Sequence, residues 1–102
     1  MDKWYIRKIH RMENGKVLDG LFLTKDSNRK DSKPSGLYYE FSTKMFFIIK
    51  QSYIVTDSDQ IVYYLNMVDA IVALSKQMDI TTLRDDHLKR FGKTIHLLER
   101  SY

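Results

Sequence analysis

The chain contains no cysteine, so disulfide staples, thiolate nucleophiles and cysteine-based zinc sites are excluded on chemical grounds. Its four glycines, at positions 15, 20, 36 and 92, are too scattered to build a glycine-rich phosphate loop. There is one proline, Pro34, and there are two alanines, Ala70 and Ala73, whereas lysine, isoleucine, tyrosine and aspartate abound. Such usage is expected of AT-rich coding, in the manner of short reading frames from phages and mobile elements. No apolar run approaches the length needed to cross a bilayer, and the opening residues MDKWYIRKIHR lack the apolar centre of a signal peptide. A cytoplasmic location and no membrane contact are the resulting expectations.

What is present fits one small folded domain over residues 1–102. Hydrophobic residues make up 43%, charged residues 29%, and 13% are aromatic, a balance far from that of disordered chains. The formal charge of +4 permits contact with nucleic acid or an acidic protein without requiring either. Basic residues gather between Lys3 and Arg11, between Lys25 and Lys33, and between Arg84 and Arg100, while Asp57, Asp59 and Asp69 lie in the middle. The field is expected to be lopsided.

The longest helical period runs from Asp57 to Met78. Ile61, Leu65, Val68 and Val72 fall on one side at 100° per residue, with Tyr64, Met67, Ile71, Leu74 and Met78 widening that face. Asp59, Asn66, Asp69, Lys76 and Gln77 form the polar stripe, and Asp57 with Gln60 has the spacing of a capping box. This predicts one long central helix with Val68 in the core and Asn66 in water.

Elsewhere the pattern is that of strands. Asn14-Gly15 supplies a type I′ turn between β-rich flanks, which pairs Met12 with Val17, His10 with Asp19 and Ile6 with Leu23. Gly20 is a candidate bulge. The polar stretch 25–36 reads as a mobile basic loop. Leu37 to Thr56 reads as a second hairpin turning near Ser42 to Lys44, with Leu37, Tyr39, Phe41, Phe46 and Ile48 on one face. The opposite face, with Tyr38, Phe47 and Ile49, is too apolar for water and calls for a cover from the C-terminal segment or another subunit. A helix is expected from about Thr82 to Arg90, with helix and strand both open beyond Gly92. The fold class is therefore α+β, an antiparallel sheet of about four strands in two hairpins on one long helix, with a C-terminal helix or helix plus strand.

No catalytic, cofactor or metal constellation emerges. Asp85, Asp86 and His87 point 100° apart on a helix and cannot converge on one ion, and the two acids suit a helix start. The His10–Asp19 pair lacks a nucleophile, and no nucleophile elbow exists. The surplus of apolar residues points instead to a non-enzymatic protein-interaction module, an accessory protein that binds and modulates a host protein, for example by inhibition, or else a homodimer. The alternative is a small basic nucleic-acid-binding protein. Candidate contacts for partner or nucleic acid are Arg7, Lys8 and Arg11 on the first hairpin, Arg29, Lys30 and Lys33 in the loop, and Lys89, Arg90 and Lys93 near the end.

Overall fold

The computed structural model describes residues 3–13, 15–25 and 33–99. In chain order these form β1 (Trp4–Glu13), β2 (Lys16–Lys25), β3 (Gly36–Glu40), β4 (Met45–Lys50), β5 (Tyr53–Ile54), β6 (Thr56–Asp57), β7 (Gln60–Ile61), α1 (Met67–Ser75) and α2 (Asp85–Glu99). The first five strands make an antiparallel sheet in the order β1-β2-β3-β4-β5, and β6 with β7 forms a small separate hairpin. The α+β class holds. The sheet has five strands, not four, because Tyr53 and Ile54 fold back onto β4.

The first hairpin has the register its turn dictates: Met12 faces Val17, His10 faces Asp19 and Ile6 faces Leu23. Gly15 takes the left-handed conformation such a turn needs, with φ of 78°. Gly20 marks no bulge, because the pairing of β1 with β2 runs through it without a skip. Its role is close approach. A Cβ there would stand 1.9 Å from the backbone oxygen of Tyr39 and 2.9 Å from Cε1 of Tyr38. Across that gap the Tyr38 hydroxyl donates to the carbonyl of Ile9 at 3.2 Å.

Alternation along the strands divides the core into two layers. On one face Trp4, Leu21, Leu23, Leu37, Tyr39, Phe41, Phe46 and Ile48 pack under Ala70 and Leu74 of α1 and Phe91 and Ile95 of α2. Trp4 also donates from Nε1 to Oγ1 of Thr82 at 2.9 Å, tying the start of β1 to the approach of α2. On the other face Leu18, Phe22, Tyr38, Phe47 and Ile49 are buried beneath Ile9, Ile54, Ile61 and Tyr63. The cover is thus supplied by β1, β5, β7 and the residues after it. Neither the C-terminal segment nor another subunit is required, which corrects that expectation and removes much of the supposed apolar surplus.

The long helix over Asp57 to Met78 does not form. Asp57 lies in β6, and Ser58 and Asp59 turn the chain with φ of 51° and 65°. Tyr64 then pairs with Phe46 through two backbone hydrogen bonds of 2.8 Å. Tertiary pairing and burial of Ile61 and Tyr63 outweigh the weak local preference for helix. The helix starts only after Asn66, whose side chain accepts from the Asp69 N–H at 2.9 Å and caps it. Over 92–99 the ambiguity resolves as helix: α2 passes through Gly92 to Glu99, with Phe91 and Ile95 buried and Leu88 and Leu98 packed beside them. That spacing of three and four keeps one stripe on the sheet. The gap left by Gly92 faces α1, since a Cβ there would meet Met67 Cε at 3.9 Å.

Candidate interaction surface

With a helix of nine residues and Ala70 and Leu74 turned to the sheet, Val68 and Val72 are forced outward. Val68 is 72% exposed and Val72 53%, and Leu65 just before the cap is 77% exposed. The expected core position of Val68 is therefore corrected, whereas Asn66 is exposed as expected and its side chain also caps the helix start. A spacing of four residues places Val68 and Val72 one turn apart on the outer face of α1, with Leu65 exposed just ahead of the cap.

Beside the stripe a groove of about 450 Å³ runs between the helices, lined by Met67, Val68, Ile71, Val72, Leu88 and Lys89. Its lining is apolar except at the lysine. On the other flank of α1 a hollow of about 290 Å³ is bordered by Ile48, Val55, Tyr64, Asp69, Val72, Ala73, Lys76 and Gln77. Val72 borders both. A second apolar pair, Met12 at 65% exposure and Val17 at 52%, sits across the strands near the hairpin tip. Among the described residues neither joins a core cluster, and β3 pairs with β2 only from Gly20 to Thr24.

No known protein family, curated protein or solved structure matches the chain.

The sequence-derived cations that the structure describes lie on β1, ahead of β3 and on α2. Arg7 and Lys8 are exposed neighbours on β1, and strand alternation turns them to opposite faces. Arg11, further along β1, pairs with Leu18 of β2. Lys33 is exposed shortly before β3, and Lys89, Arg90 and Lys93 are exposed on α2, where Lys89 alone among them reaches the groove. Arg29 and Lys30, with most of the basic loop, lie outside the described residues. His10 Nδ1 stands 3.6 Å from Asp19 Oδ1, and His87 Nδ1 accepts from the Arg84 N–H at 3.0 Å. Among the described residues no three histidine or acidic side chains gather as metal ligands. None of the helices described is long and apolar enough to cross a membrane.

One polar cluster escaped the sequence reading. Glu40 ends β3 with no exposed surface, and its Oε1 accepts from Thr43 Oγ1 at 2.9 Å and from the Tyr63 hydroxyl at 3.2 Å. Lys16 donates to the Tyr63 oxygen at 2.6 Å and holds its ammonium 3.3 Å from Glu40 Oε2. Among the described residues nothing donates a hydrogen bond to that second oxygen, so the ammonium is its compensation. The hydrogen bond to Tyr63 foremost, and the Glu40 charge after burial's opposing effect, hold the Lys16 pKa above its ordinary 10.5. The cluster ties three separate segments, β2, the β3–β4 turn and the cover of the second face. Lys16 is 24 residues from Glu40 and Tyr63 is 23 residues beyond it, so no local motif could announce it.

Proposed function

We propose that the protein is a non-enzymatic interaction module whose contact surface is the outward stripe of α1 with the groove beside it. The observation that supports this is the exposure of Val68 and Val72 on α1, with Leu65 just ahead of its cap, beside an apolar groove. Contiguous apolar surface of that kind costs solubility unless something covers it. The partner is another protein, either a host protein whose activity is modulated, for example inhibited, or a second copy of the chain. Burying three branched side chains and the groove walls supplies the apolar centre of an interface, with Lys89 and Lys76 at the rim.

The test is the double substitution Val68→Glu with Val72→Glu. Both side chains face water, so the variant folds with an unchanged circular dichroism spectrum. Self-association in sedimentation, or a stoichiometric partner captured from a host lysate by the parent, is lost in the variant. A variant that associates and captures as the parent does would remove the stripe from the function. The nucleic-acid reading draws on Arg7, Lys8 and the α2 cations. It requires binding to duplex or single strands at low salt that falls steeply as salt rises. Absence of such binding at low salt eliminates it.

A further inference from the structure

The outer strand of the sheet is β1, ten residues long. The opposite edge is occupied, since β4 is met by β5, by the Val55 N–H at 2.8 Å from the Ile48 oxygen, and by Tyr64. Among the described residues no segment pairs with the outer side of β1.

The register shows which backbone groups are free there. Glu13 and Lys16 close a two-residue loop, so they exchange both hydrogen bonds, and bonded and open pairs alternate from that point. An independent contact agrees: the Phe41 N–H donates to the Asp19 oxygen at 3.0 Å, which turns that carbonyl towards β3 and makes His10–Asp19 an open pair. The N–H and C=O groups of Ile6, Lys8 and His10 therefore point outward from the sheet.

Charge selects what can pair with them. From Lys3 to Met12 the chain carries Lys3, Arg7, Lys8 and Arg11 and no acidic residue. Lys3, Arg7 and Lys8 are exposed. A second copy laid along β1 would bring cations within cross-strand or diagonal reach of one another, which is unfavourable, and edge lysines discourage such pairing in general. The same charges attract an incoming strand with acidic side chains. Because Arg7 and Lys8 turn to opposite faces, an extended peptide with acids on both faces matches them, whereas a phosphate backbone tracks along one.

We propose that the outer edge of β1 docks an extended acidic segment of a partner protein, which adds to the sheet as a sixth strand. This surface is separate from the α1 groove. The probe is a capped peptide of two Glu-Glu-Val-Val repeats, with the lysine-for-glutamate peptide and a short DNA duplex beside it, all at moderate salt. In the parent protein, saturating acidic peptide slows amide exchange at Ile6, Lys8 and His10 by about tenfold or more while Arg7 and Ile9, already bonded to β2, change little. The lysine peptide protects nothing. Lys8→Pro, which removes an outward donor and leaves the ladder to β2 intact, weakens the acidic peptide by about tenfold or more. The Val68→Glu, Val72→Glu variant binds the peptide as the parent does, so failure of the groove reading and failure of this one are distinguishable. The proposal is overturned if no β1 amide is protected in the parent, if a folded Lys8→Pro protein binds undiminished, or if the duplex binds more tightly than the peptide. Should Lys8→Pro not fold, the exchange pattern of the parent decides alone.

Discussion

Replacing Lys16 by methionine keeps most of its aliphatic bulk and removes the ammonium that stands 3.3 Å from a buried carboxylate oxygen. At an effective dielectric near 20 that attraction is about 5 kcal/mol before solvation is counted. The Lys16 side chain is 41% exposed, so water screens the pair in the parent and can partly replace the ammonium in the variant, which brings the expected loss to about 2 kcal/mol. Glu40→Gln removes the charge while its amide oxygen still accepts from Thr43 and Tyr63, and costs about 1 kcal/mol in the parent. In the Lys16→Met background the same change relieves an uncompensated buried charge and raises stability. The assay is urea unfolding at pH 7 of the parent, the two single variants and the double variant. A coupling of about 1–2 kcal/mol is expected, and a sum of effects additive to within about 0.5 kcal/mol would refute the compensation of Glu40 by Lys16. The pH dependence has a fixed sign. Because folding raises the lysine pKa, its contribution is complete below the ordinary 10.5 and fades as pH rises through the folded value, so it is unchanged between neutral and mildly alkaline conditions.

The helix orientation makes a paired prediction. Val68→Asp leaves the melting temperature nearly unchanged, whereas Leu74→Asp, at a position with no exposed surface, abolishes folding because the unpaired carboxylate costs several kcal/mol. Asn66→Lys removes the cap of α1 and costs about 1 kcal/mol, seen as a lower urea midpoint. Gly20→Ala loses about 2 kcal/mol or more in the same assay, since its methyl group would meet the Tyr39 backbone and the Tyr38 ring, and neither can withdraw without breaking the pairing of β2 with β3. Gln51 and Ser52 turn between Lys50 and Tyr53 with φ of 49° and 71°. Replacing them by Asn-Gly, which suits those angles, stabilises by about 0.5–1 kcal/mol, read as a melting temperature higher by a few degrees.

Wherever a local signal was also the final arbiter, the sequence was enough. Asn14-Gly15 and the two-residue alternation around it determine the register of the first hairpin, because both strands are long and a slip by one residue would exchange their faces. The same alternation places Leu37, Tyr39, Phe41, Phe46 and Ile48 together, and a helical spacing of three and four residues places Phe91 and Ile95 on one stripe. The cations were legible as residues but not as an arrangement, since only the sheet order makes β1 an outer strand with its positive charges on an edge that none of the described residues pairs with. Tertiary structure decided the region from Gln51 to Val72. Two of its turns adopt left-handed angles without glycine, so no turn residue announced them, and the apolar period from Ile61 to Val72 was consistent with a single helix. Residues 61–74 serve different layers: Ile61 and Tyr63 close the second face, Tyr64 pairs with Phe46, Ala70 and Leu74 meet the first face, and Val68 and Val72 are left in water. A projection at 100° per residue measures only angular spacing along one segment. Which face meets protein is set by where the sheet edges lie, and that is a property of the assembled chain.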